Sequence, residues 1–159
     1  MVTVRADARY CSTRCRVAGN RKAKRSLGFP AEMTSRVSWV RASGKRPIQV
    51  DGSAAKSNDS STWSSFSDVR DSTAGDGFGI MLGGGLGCYD FDSVTDSEAR
   101  ELAALIPERI VFAERSISGR GVHVFVEAPE CAGSKSWQGR HERYTRERFI
   151  RVTGDRISL

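Results

Sequence analysis

From about residue 37 the chain alternates short apolar runs with clusters of Gly, Ser and Asp. The apolar positions recur with period two more often than 3.6, which predicts strands. Residues 37–41 read as a strand ending at Ser43-Gly44. Residues 51–76, rich in Ser, Asp and Gly, predict a long surface connection around a short helical piece near Trp63 and Phe66. Residues 78–82 and 86–91 are apolar runs joined by Gly83-Gly84-Gly85, the pattern of a hairpin with a glycine turn. A helix follows, with Thr95 and Glu98 as a capping box, Leu102, Leu105 and Ile106 as its apolar face, and Pro107 as its stop. Residues 110–112, 122–126 and 148–153 supply further strands, and neither a repeat nor a heptad runs through them. This order predicts an α+β fold with a mixed or antiparallel sheet, not a doubly wound one.

A length of 159 residues suits one compact domain plus an arm. A chain of this size buries about two thirds of its unfolded surface and needs no disulfide staples. Four cysteines are too few for a disulfide scaffold and predict a reducing, cytoplasmic setting. The longest apolar stretch, between residues 77 and 92, is broken by glycines and falls short of the ~20 residues of a spanning helix. Charges at the N-terminus argue against a signal peptide.

The net charge of +6 is unevenly placed. Residues 1–25 hold eight basic side chains against Asp7 alone, a local charge of +7, and the remaining seventeen basic and eighteen acidic residues leave −1. We therefore divide the chain into a basic arm, residues 1–30, and a folded domain, residues 31–159. Such an arm suits contact with a nucleic-acid phosphate backbone, which is electrostatic and needs no base reading; a solubilising tail is the plainer alternative. Within it a short basic helix is expected over residues 14–24. Cys11 and Cys15 are weak candidate zinc ligands: their segment resembles the second half of a small zinc ribbon, but the upstream pair that would complete four ligands is missing.

Three segments of the domain carry candidate chemistry. In Tyr89-Asp90-Phe91-Asp92, strand alternation puts both carboxylates on one face, where a hard divalent cation such as Mg²⁺ or Mn²⁺ would offset their repulsion. A strand end fraying into a polar loop gives the same pattern. In Ser116-Ile117-Ser118-Gly119-Arg120-Gly121, small residues and donors precede a strand whose Val122, Val124 and Val126 face one side and His123 and Phe125 the other. That suits a phosphate, bound by Ser118, Arg120 and His123. The third segment offers Glu142 as a further carboxylate and Arg148 and Arg151 as phosphate grips, or else an ordinary exposed strand with balanced charges.

Taken in order, the glycine turn into Tyr89-Asp90-Phe91-Asp92, then Glu114-Arg115-Ser116-Ile117-Ser118-Gly119-Arg120-Gly121-Val122-His123, then Glu142-Arg143-Tyr144 and residues 148–154, resemble the bifunctional primase-polymerase domain of phage and plasmid replication proteins, in the archaeo-eukaryotic primase superfamily. Lys45-Arg46-Pro47 and residues 62–66 match its lead-in, so the likeness spans about residues 37–157. The resemblance implies a sheet like that of an RNA-recognition motif beside a second small α/β unit, with the cleft between them. It implies Asp90, Asp92 and Glu142 as catalytic metal ligands, and Ser118, Arg120, His123, Arg148 and Arg151 as nucleotide-binding residues. It also implies a two-metal DNA primase-polymerase, a nucleotidyltransferase that uses Mg²⁺ or Mn²⁺, (d)NTPs and a DNA template and primer. A helicase domain in the same longer chain and a place in the host-cell cytoplasm belong to the same picture. Extension of a primer is the firmer expectation than priming from nothing.

Two rivals compete with that reading. A non-catalytic nucleic-acid-binding module would use the arm and stack bases on Tyr144 and Phe149, but leaves Asp90 and Asp92 without purpose. A metal-dependent sugar-nucleotide transferase would use the same carboxylates but needs a larger nucleotide-binding domain.

Overall fold

The computed structural model describes residues 28–139 and 141–159; Cys11, Cys15 and the basic helix expected over residues 14–24 lie outside them. After a single helical turn, α1 (Ala31–Thr34), the chain builds two antiparallel sheets. The first has four strands: β1 (Trp39–Ser43), β2 (Arg46–Ile48), β3 (Gly77–Met81) and β9 (Phe149–Val152), ordered β2-β1-β3-β9. The second has five: β4 (Leu86–Phe91), β5 (Ile110–Arg115), β6 (Val122–Glu127), β7 (Ser134–Trp137) and β8 (His141–Tyr144), ordered β5-β6-β4-β8-β7. Two helices complete the set, α2 (Phe66–Asp71) after a 3₁₀ turn at Ser60–Thr62, and α3 (Asp96–Ala103). The fold is therefore α+β, with every strand pair antiparallel.

The glycine turn is not a hairpin. Gly83 and Leu86 exchange backbone bonds of 3.2 Å, but β3 then pairs with β1 and β9 while β4 pairs with β6 and β8. Three successive residues at φ 144°, 58° and 89°, open to glycine and strained for other residues, swing the chain out of one sheet and into the other. Three strands, β2, β7 and β8, escaped the sequence pattern. Edge strand β2 contains Pro47, which only an edge tolerates, and β7 is a polar edge reading Ser-Lys-Ser-Trp.

Both faces of the second sheet are covered. One packs Tyr89, Phe91, Val122, Val124 and Val126 against α3. That helix keeps its expected capping box, Thr95 with Glu98, but buries Ala99 and Ala103 with Leu102 and Ile106 beside them. Leu105, expected on the apolar face, is 56% exposed. The opposite face carries Leu86, Cys88, Phe112, Phe125 and Tyr144 into a core shared with Trp39, Ile80, Ile150 and Val152 of the first sheet. Phe29, assigned to the arm from sequence, lies inside that core. Its ring centroid is 5.2 Å from those of Trp39 and Phe112 and 5.8 Å from that of Phe66, so one side chain bridges both sheets and α2.

Candidate functional site

On the shared-core face of the second sheet, side chains run in two parallel rows. Register pairs Phe112 with Phe125, Phe125 with Cys88 and Cys88 with Tyr144, an apolar row across four strands. Two residues further along each strand the register pairs Glu114 with His123, His123 with Asp90 and Asp90 with Glu142. One pleat repeat thus converts core into a row of three carboxylates and an imidazole. No folding requirement puts like charges directly opposite one another, and such pairs destabilise a sheet.

Asp90 stands in the middle of that row, its side chain 21% exposed and its Oδ1 3.8 Å from His123 Nε2. Burial pushes its carboxyl above the usual range; His123 and Arg148 oppose the rise, and Asp92 and Glu142 add to it. Asp92, one residue beyond β4, is exposed. His123 is buried, with Nδ1 3.1 Å from Glu114 Oε1. Glu142 accepts a 2.9 Å bond from Tyr144 Oη and lies 3.5 Å from Arg148 Nη2. The Arg148 guanidinium in turn lies 4.4 Å from the Tyr144 ring centroid.

A cleft of about 510 Å³ opens where the two sheets adjoin. Asp90, Asp92 and His123 line one wall, Arg148, Phe149 and Arg151 another, and Ser116, Ser118 and Lys45 its rim. The serine turn closes on itself through Ser116 N to Gly121 O at 2.8 Å, and Val94 N, just beyond β4, donates to Arg120 O at 3.0 Å. A Cβ on Gly121 would stand 2.9 Å from Phe91 O, so glycine is what lets the turn come this close to Asp92.

Of the residues singled out in the sequence, Asp90, Asp92, Ser118, His123, Arg148 and Arg151 therefore meet in one cleft. Arg151, though part of the wall, gives its guanidinium to Asp76 and to Gly44 O. Arg120 is exposed and is not part of the lining, and Glu142 is reached from the cleft through Arg148. Tyr144, offered as a base-stacking ring, is 91% buried beneath Arg148, since it is only 9% exposed. Lys45 and Glu114 were not singled out as site residues. A parity argument would have found Glu114, which follows Phe112 at the spacing by which His123 precedes Phe125.

Among the described residues, no three His, Cys, Asp or Glu side chains are gathered at metal-ligand spacing. Asp90 and Asp92 both line the cleft, with Glu142 opposite Asp90 and engaged by Arg148. Comparison of the sequence with protein-family models and with curated proteins gives no match, so the geometry of the cleft is what bears on function.

Proposed function

We infer that the domain is a metal-dependent nucleotidyltransferase, adding (d)NTPs to a primer 3′-hydroxyl on a DNA template. One observation carries this reading: a half-buried carboxylate with a second beside it shares a cleft with the donors a triphosphate needs. The donor set fits a divalent cation. Asp90 is held four-fifths out of water between carboxylates that raise its pKa, and a hard cation such as Mg²⁺ or Mn²⁺ would relieve that repulsion. Asp90 and Asp92 would hold it, and Glu142 would join them once Arg148 turns away. Bound there, the cation supplies charge neutralisation at the reacting phosphate and a lowered pKa for the attacking hydroxyl.

The chain's own residues do the positioning. Ser118 Oγ, Lys45 and Arg148 present donors from the rim and wall toward a polyanion. Arg148 is 47% exposed and only loosely paired with Glu142, so a phosphate can compete for it. His123 adds a ring nitrogen on the wall beside Asp90. The arm, at +7, would hold template phosphates without reading bases.

Primer extension with a labelled primer-template, with Mg²⁺ or Mn²⁺, tests the reading. Incorporation should disappear in Asp90→Ala and Asp92→Ala while DNA binding persists. A wild-type chain that binds DNA but incorporates nothing with either metal would leave the non-catalytic binding module as the better account.

A further inference from the structure

Glu114 has no part in the chemistry above, yet solvent does not reach it at all. A carboxylate buried so completely is tolerated only when donors fill its lone pairs and an opposite charge is at hand. Its Oε2 accepts from Gly154 N at 2.8 Å and Thr153 N at 3.0 Å, and its Oε1 lies 3.2 Å from Thr153 N and 3.1 Å from His123 Nδ1. Among the described residues, its ionic partner is His123. Both oxygens already accept backbone N–H groups, so the bond to the ring is one in which Nδ1 donates. With that nitrogen committed, Nε2 is the atom the ring turns toward Asp90 and the cleft. The same carboxylate anchors residues 153–154, which follow β9 of the first sheet. It thus fastens the imidazole on one sheet to the cleft wall supplied by the other.

We propose that Glu114 is a positioning residue for His123: it accepts the hydrogen bond from Nδ1–H, turns Nε2 toward the cleft, and sets its negative charge behind the ring when Nε2 donates to a phosphate group of the ligand. The identity of that ligand as a nucleoside triphosphate rests on the nucleotidyltransferase reading; the pairing of Glu114 with the ring does not. A bracket that merely holds the turn at residues 153–154 would need no particular tautomer.

Nitrogen-15 NMR of the imidazole in the full chain, at one fixed pH and without ligand, separates these accounts. In the wild type His123 Nδ1 should carry a proton. In Glu114→Gln the carboxamide oxygen can keep the backbone bonds while its NH₂ donates to the ring, so Nδ1 should lose that proton. A bare Nδ1 in the wild type, or an unchanged ring in Glu114→Gln, would overturn the proposal. Should Glu114→Gln fail to fold, the wild-type spectrum still decides. Titration with dATP and Mg²⁺ gives the second readout. Glu114→Gln and His123→Ala should each weaken binding by about tenfold, the scale of one charge-assisted hydrogen bond, and the double variant no further. Glu114→Asp, which keeps the charge, should recover part of the loss. Additive losses would make Glu114 a bracket. If the wild type binds no dATP, the nucleotidyltransferase reading fails alone, and the spectra still decide whether Glu114 positions the ring.

Discussion

Replacing Asp90 with Asn should make the metal-free protein more stable, because the charge removed is one the fold holds at a loss. Asp90 faces Glu142 directly across β4 and β8 and stands two residues from Asp92. Side chains facing each other across a pair of strands lie about 5–6 Å apart, where like charges repel by about 3 kcal/mol at an effective dielectric near 20. Burial of a side chain only 21% exposed raises the carboxyl most, Asp92 and Glu142 add to the rise, and His123 and Arg148 oppose it. The net penalty is on the order of 1 kcal/mol, or about 3 °C in Tm for a domain of this size. Because the folded-state pKa of Asp90 is raised, the penalty acts at neutral pH, where both states are ionised. It fades as pH falls through the carboxylate range and is gone below the unfolded value. Urea unfolding in EDTA should therefore show Asp90→Asn above wild type at pH 7 and level with it in acid. Saturating Mn²⁺ should reverse the order, since a ligand at 100 times its Kd stabilises the wild type by about 2.7 kcal/mol and the variant much less. If Asp90→Asn instead loses more than about 1 kcal/mol in EDTA, Asp90 is a satisfied structural carboxylate, and the metal reading loses its support.

Phe29→Ala should lower stability in urea by about 3–5 kcal/mol, since the ring bridges both sheets. A chain begun at residue 31 should lose as much and one begun at residue 26 very little; equal stability of all three would refute the placement of Phe29. Glu108 accepts from Tyr89 Oη at 2.8 Å and pairs with Arg143; burial raises its carboxyl, but these partners outweigh that and hold it below the usual range. Glu108→Gln should cost about 1–2 kcal/mol at pH 7, where the wild-type contribution is full. That contribution is present above the unfolded carboxylate pKa and is lost as pH falls through the lowered folded one, so the two proteins should converge in acid. Deleting residues 1–25 should weaken DNA binding, flatten its dependence on salt in a filter-binding or anisotropy assay, and leave stabilisation by Mn²⁺ intact. An unchanged salt slope would remove the arm from the interface.

The sequence by itself determined most local structure, because strand parity, capping and turn chemistry are near-neighbour effects. The alternation of residues 86–91 and 122–126, the capping box at Thr95 and the exposed turn at residues 117–120 all follow from residues a few positions apart. Alternation alone also put Asp90 and Asp92 opposite Tyr89 and Phe91, and His123 opposite the valines. What it left open was pairing. Nothing in Gly83-Gly84-Gly85 says whether the strands on either side zip together or part into two sheets, since the same positive φ angles serve both. Strands rich in charge or containing proline, such as β7 and β2, take their form from the edge they join rather than from a pattern of their own. Only the tertiary register set Glu114, His123, Asp90 and Glu142 side by side from four strands. Only the meeting of two sheets brought Arg148 and Lys45 to the cleft lined by Asp90 and His123. Long-range juxtaposition decides burial, and burial decides what a carboxylate does: Asp71 on the surface is a solvated charge, whereas Glu114 beneath His123 is committed to a ring and two backbone N–H groups.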